Sequence, residues 1–194
     1  EEGINAQISV PEKYWNDFSD LITKYDFSKN IHIKSAIQEG ASFLKLKIMI
    51  KKEIVAWGLD KKDYDMQHVG QHLNAKDFNN LIEDKNTVLI DIRNNYESEV
   101  GRFETAICPK SKRSKDLIKE VKKLIEDKKD KNIAMYCTGG IRCEKASSYL
   151  IKSGYKNVFQ LNGGIIEYAH QIKKNKLPSK FIGKNFVFDD RLGE

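Results

Sequence analysis

The stretch Asn132-Ile-Ala-Met-Tyr-Cys-Thr-Gly-Gly-Ile-Arg-Cys-Glu-Lys-Ala-Ser147 decides how this chain is read. Four apolar residues, 133–136, run into Cys137; two glycines and Arg142 follow, and a helical pattern opens at about Cys143. A short apolar run bounded by glycine reads as a buried strand. In open α/β sheets, ligands sit beyond the C-terminal ends of such strands, so Cys137 falls where a reactive group belongs. Glycines permit the positive φ values that turn successive N–H groups inward. The helix N-terminus adds a partial positive charge, and Arg142 adds a full one. All three effects lower a thiol pKa, and the thiolate is the reactive form. The loop of Thr138, Gly139, Gly140, Ile141 and Arg142 is therefore expected to cradle a Cys137 thiolate. The same cradle suits a persulfide or an oxyanion.

Outward from this stretch, strands and helices alternate from about residue 69. The pattern predicts strands over 69–73, 88–90, 106–108 and 158–161. It predicts helices over 75–83, capped by Asn74, over 115–128, capped by Ser114, over 143–153, stopped by Gly154, and over 165–173, opened by Gly163-Gly164. Such alternation implies a mostly parallel sheet with helices on both faces. The first 60 residues follow a different grammar. Residues 4–10 alternate like a strand, and Pro11 leads into a helix with Trp15, Phe18, Leu21 and Ile22 on one face. Extended runs are predicted over 31–37 and 43–50, prolonged by 54–57, which makes a short α+β domain. The boundaries expected are a domain over 1–60, a linker over 61–67, an α/β domain over 68–173 and a C-terminal segment over 174–194.

Length and composition narrow the class. The 194 residues are 40% hydrophobic, enough for a packed core. No apolar run approaches the roughly 20 residues of a membrane span, so no membrane partner is expected. Three cysteines, 108, 137 and 143, cannot make a disulfide framework, and a reducing, cytoplasmic setting fits. Cys143 lies where it either resolves chemistry at Cys137 or simply packs. A zinc site needs four ligands in closer pairs, and His68 and His72 sit at a strand entry, so no metal is expected. No cofactor motif is evident. The charge is uneven: residues 1–70 carry 10 Lys+Arg against 11 Asp+Glu, whereas residues 71–194 carry 24 against 17. Lys110, Lys112, Arg113 and Lys115 open the basic region. They are read either as a solvated surface or as contacts for a polyanion. Nothing in the sequence fixes an oligomeric state.

A family resemblance sharpens these alternatives. Asp91-Ile-Arg93, Tyr96-Glu97 and Gly101, with the loop of residues 137–142, resemble the signatures of rhodanese domains. Within these, the run from Cys137 to Ser147, the run from Gln160 to Ile165 with Tyr168, the closing residues 186–191, and Glu2-Gly-Ile-Asn5 with Lys51-Lys-Glu-Ile-Val55 resemble bacterial tRNA uridine hydroxylases. The resemblance implies a rhodanese domain preceded by a ferredoxin-like (acylphosphatase-like) domain. In that frame the chain starts at the second strand, with a first strand and helix missing. It further implies oxygen-dependent formation of 5-hydroxyuridine at the wobble position of tRNA, with Cys137 essential and molecular oxygen as cosubstrate. Asp91 and Arg93 correspond to scaffold residues near the site. The loop by itself supports a sulfurtransferase carrying a persulfide on Cys137 equally well.

Overall fold

Four short parallel strands with register-matched neighbours build the sheet that positions the site. The computed structural model describes residues 2–28, 33, 35, 37, 40, 43, 45–111 and 113–186. The chain divides into two units, residues 5–50 and residues 1–4 with 51–194.

In the first unit, a single turn of 3₁₀ helix, Glu12–Tyr14, leads into α1, Trp15–Thr23. The Tyr14 N–H donates to the Pro11 carbonyl at 2.8 Å, so the proline opens the turn that the sequence predicted. The rings of Trp15 and Phe18 lie on one face with centroids 6.0 Å apart, tilted at 40°. The strands expected over 4–10 and 45–50 are absent among the described residues. Alternation marks a face, but a strand also needs a neighbour to take its backbone hydrogen bonds. Ile48 and Ile50, 82% and 100% exposed, have no covering layer. The run expected over 31–37, and residues 187–191, lie largely or wholly outside the described residues.

The second unit holds β1 (Gln71–Leu73), α2 (Ala75–Glu83), β2 (Thr87–Asp91), α3 (Asn95–Val100), β3 (Gly101–Phe103), α4 (Ser114–Leu124), β4 (Asn132–Tyr136), α5 (Ile141–Lys152), β5 (Val158–Leu161), α6 (Gly164–Asn175) and β6 (Phe181–Gly183). Strands β1-β5-β4-β2 form a parallel sheet in that order, with Ile90 opposite Met135 and Met135 opposite Gln160. Alternation along the strands sorts two cores. Val88, Ile90, Ile133, Met135 and Cys137 pack with Ile118 and Val121 of α4 and Ala146 and Leu150 of α5. Leu89, Ala134, Tyr136 and Leu161 pack with Phe78 of α2 and Ile165 and Tyr168 of α6. Helices thus cover both faces, as the alternating pattern requires.

Several predicted boundaries move. Residues 106–108 supply only an isolated bridge from Ile107 to Ile90, because a turn precedes them and Pro109, which has no N–H, follows. Helix α4 stops at Leu124 rather than 128; Glu126 and Asp127 beyond it oppose the negative end of the helix dipole. Its N-cap is Arg113, and the Ser114 hydroxyl turns instead to Asn94 Oδ1 at 3.5 Å. Helix α5 starts two residues early, at Ile141, because Gly140 at φ 102° turns the chain directly into it.

The expected boundary at residue 60 and the linker over 61–67 are also redrawn. Val55 and Trp57 are buried in the α4–α5 core and Tyr64 is 8% exposed. The Asp65 N–H donates to Ser148 Oγ at 2.6 Å. Their apolar side chains find more burial against α5 than a linker offers. The Lys145 ammonium of α5, itself fully buried, is bound by Glu2 at 3.0 Å, Glu53 at 2.7 Å and the Val55 carbonyl at 3.1 Å. Glu2 also accepts from the Ile54 N–H at 2.6 Å and from the Tyr64 hydroxyl.

Candidate active site

The C-terminal end of β4, an interior strand, reaches the rim of the sheet, where Cys137 follows Tyr136 directly. Cys137 is 1% exposed, and its Sγ accepts the Gly140 N–H at 3.1 Å. The left-handed Gly140 lets that N–H fold back over the sulfur while its own carbonyl receives the N–H of Cys143 at 2.9 Å. Burial opposes ionisation of Cys137. The Cys143 thiol, the Arg142 charge and the N–H groups of Cys143 and Gly140 outweigh it and bring the Cys137 pKa down to about 6. Burial and the neighbouring Cys137 charge push Cys143 well above the ordinary thiol value. The pair is therefore asymmetric: a thiolate at 137 and a thiol at 143.

Gly163-Gly164 seats the loop from below. The N–H groups of Ile165 and Ile166 at the start of α6 reach the carbonyls of Cys137 at 3.0 Å and Thr138 at 3.2 Å. A Cβ on Gly164 would lie 2.5 Å from both carbonyl oxygens, at a φ of 66° that L side chains rarely adopt. Close packing at the helix start, and not ligand contact, accounts for this glycine.

Arg142 does more than add charge. Its guanidinium grips Glu97 in bidentate fashion, Nη1 to Oε2 at 2.6 Å and Nη2 to Oε1 at 2.8 Å, and Nη2 also reaches Thr138 Oγ1 at 3.1 Å. Glu97 is fully buried. Burial pushes its carboxyl up, but the bonds and charge of Arg142 and the Asn94 N–H hold it below the usual carboxylate range. Asn94 and Glu97 form a reciprocal capping box on α3. Sequence reasoning did not place Glu97 in the site or predict α3; the Asn94-x-x-Glu97 spacing was the available signal.

Asp91 and Arg93 lie at the end of β2. Arg93 pairs with Asp91 at 2.7 Å with both side chains fully buried, and donates to the Gly101 carbonyl at 2.6 Å. The Tyr136 hydroxyl donates to Asp91 at 2.7 Å. They tie the strand end to β3. His68 and His72 part company, each within 2.7 Å of an acid, Asp65 and Glu144. No group of three or more metal-binding side chains occurs among the described residues.

The basic residues sit on the loop before α4. Lys110, Arg113 and Lys115 are exposed; Arg113 pairs with Asp116 at 2.8 Å. Lys112 lies outside the described residues. The loop is close to the site through Ser114 and Asn94.

One prediction follows from the asymmetric thiol pair. Replacing Cys143 with alanine removes a hydrogen-bond donor from the thiolate, so the pKa of Cys137 is expected to rise above about 6. The pH dependence of iodoacetamide alkylation in a variant whose other cysteines are alanine checks this. An unchanged midpoint would remove Cys143 from the thiolate's support.

A parallel sheet that delivers a thiolate into a glycine cradle at a helix N-terminus defines an α/β domain with a loop-cysteine site. The chain belongs to the rhodanese-like domain family, whose model matches residues 74–171. A second model, the UPF0176 acylphosphatase like domain, matches residues 1–54. The tRNA uridine(34) hydroxylase of Leptospira interrogans is 48% identical over all of this chain and 53% of its own length. That of Yersinia enterocolitica is 46% identical, with 56% of its length covered. The chain thus spans about half the length of these curated relatives. A solved rhodanese-like domain from Anabaena is 16% identical at a TM-score of 0.45, over 58% of this chain and 78% of that one. Among the described residues, no helix is long and apolar enough to cross a membrane.

Proposed function

We propose that this chain carries the catalytic part of a tRNA-modifying enzyme that hydroxylates the wobble uridine at C5, with Cys137 as the catalytic residue. One observation carries the reading: a thiol brought down to about 6 lies in a chain 46–48% identical to proteins named tRNA uridine(34) hydroxylase. The basic second half supports a tRNA substrate, with Lys110, Lys112, Arg113 and Lys115 as backbone contacts. A wobble base lies in a single-stranded loop and is free to be splayed out. The working compartment is the cytoplasm, where tRNA and reduced thiols coexist.

In this reading the Cys137 thiolate adds to C6 of the uracil. The C5–C6 electron pair moves towards C5 and the C4 carbonyl oxygen, making C5 nucleophilic. C5 takes an oxygen atom from the oxidant, the C5 proton leaves, and the C6–S bond breaks to return the thiolate. With molecular oxygen as cosubstrate, the second oxygen atom leaves as water and a two-electron reductant balances the step. The role of the loop 138–142 is to hold negative charge on sulfur before and after addition.

Nucleoside analysis of tRNA from cells with and without the gene, grown with and without air, tests the proposal. 5-Hydroxyuridine is expected only when both are present; equal levels in the two strains would overturn it. The low thiol pKa also favours persulfide transfer. Intact-protein mass after thiosulfate treatment separates the two, because a sulfurtransferase gains a sulfur atom and passes it to a thiol acceptor.

A further inference from the structure

We infer that the cleft between residues 53–58 and the start of α4 is a phosphate-binding site that grips the RNA backbone away from the thiolate loop. The inference rests on the reading of the chain as a tRNA-modifying protein and names a place where the strand is held.

The cleft encloses about 440 Å³ and is lined by Glu53, Trp57, Gly58, Lys115, Asp116 and Lys119, among others. Its acids are already engaged. Glu53 binds the Lys145 ammonium at 2.7 Å and accepts from the Gly58 N–H at 3.1 Å, and Asp116 binds Arg113 at 2.8 Å. Its bases are not. Lys115 and Lys119 lie one turn apart on α4, both exposed, and neither forms an ion pair among the described residues. Trp57 is 2% exposed, and its Nε1–H is buried without an acceptor. Lys115 also stands in the first turn of α4, where the helix dipole favours an anion.

Two unneutralised ammonium groups beside a helix N-terminus select an anion rich in acceptor oxygens, and phosphate is that chemistry. The volume exceeds what a single phosphate needs and admits a stretch of phosphodiester chain. The location suits a strand that also visits the thiolate. In a βαβ layer the helix begins at the C-terminal edge of the sheet, where Cys137 also lies. Ser114 at the start of α4 contacts Asn94, whose capping partner Glu97 holds Arg142.

The test measures binding of an anticodon stem-loop RNA to the whole chain over a range of salt. Trp57 fluorescence is followed in a Trp15→Phe background. A Lys115→Ala/Lys119→Ala variant is compared with a charge-matched Lys123→Ala/Lys129→Ala control. The cleft variant is expected to bind about tenfold more weakly at 0.15 M salt, with a salt slope shallower by roughly 1–2, while the control changes less. RNA is expected to alter Trp57 emission in the wild type. Equal affinity and slope in the cleft variant would overturn the site, and Lys115 as a backbone contact with it, while leaving the tRNA substrate and the role of Cys137 standing. A wild type that binds no RNA at any salt would sink both. AMP or inorganic phosphate that shifts Trp57 emission saturably, where RNA does not, would reassign the cleft to a free phosphate compound and overturn the RNA assignment.

Discussion

A Cys137→Ser variant is expected to lose 5-hydroxyuridine formation by about 10³-fold or more, since serine's hydroxyl is not ionised near neutral pH. The companion observation is on the wild type. Alkylation of Cys137 should follow a pH curve with its midpoint at about 6, against an ordinary thiol value of 9.0. Folded-state ionisation also has a stability signature. The folded pKa lies below the unfolded one, so the thiolate's contribution is complete above the unfolded value. It is lost as pH falls towards about 6. Thermal melts should therefore show the gap between wild type and Cys137→Ala shifting in favour of wild type from pH 6 to pH 9. A serine variant that retains activity, or an alkylation midpoint near 9, would remove Cys137 from the chemistry.

Arg142→Ala should be the most destabilising of the loop substitutions. It leaves the Glu97 carboxylate, fully buried, without its bidentate partner. Uncompensated buried charge costs about 3–5 kcal/mol, which corresponds to roughly 10 °C in melting temperature for a unit of this size. Lysine at 142 should recover only part, because an ammonium cannot bond both oxygens in the same plane. A Glu97→Gln/Arg142→Met double variant should melt higher than Arg142→Ala, since no charge is stranded. Calorimetry on the four proteins checks this. A melt for Arg142→Ala within about 1 °C of wild type would show that Glu97 does not depend on the pair.

Much of the site was legible because it is local. Cys137, Gly140 and Arg142 lie within six residues, and their meaning follows from a strand end, a positive φ and a helix start. Helices α2 and α6 were readable from apolar spacing and from Asn74 and Gly163-Gly164. What escaped is what sequence distance hides. Glu97 meets Arg142 across 45 residues, and only the three-residue capping box on α3 advertised it. Strand β6 pairs with β3 from the far end of the chain, Phe103 opposite Phe181, with too few residues for a pattern. The N-terminal alternation misled in the opposite way: residues 4–10 have a strand's periodicity, but a ladder requires a second chain segment, and periodicity carries no information about one.

Lys145 changes what counts as an end of a domain. Glu2 and Glu53 meet at one ammonium, so the polypeptide leaves and re-enters the rhodanese-like unit at the same spot on α5. Residues 5–50 form one compact unit, and residues 1–4 cluster with 51–194 in the other. The entropy of closing that 46-residue excursion is spent where a buried cation is neutralised. A truncation placed at the sequence-like seam near residue 60 would discard both carboxylates and strand Lys145 two residues beyond Cys143. The natural excision joins residue 4 to residue 51 instead, and keeps the clasp whole.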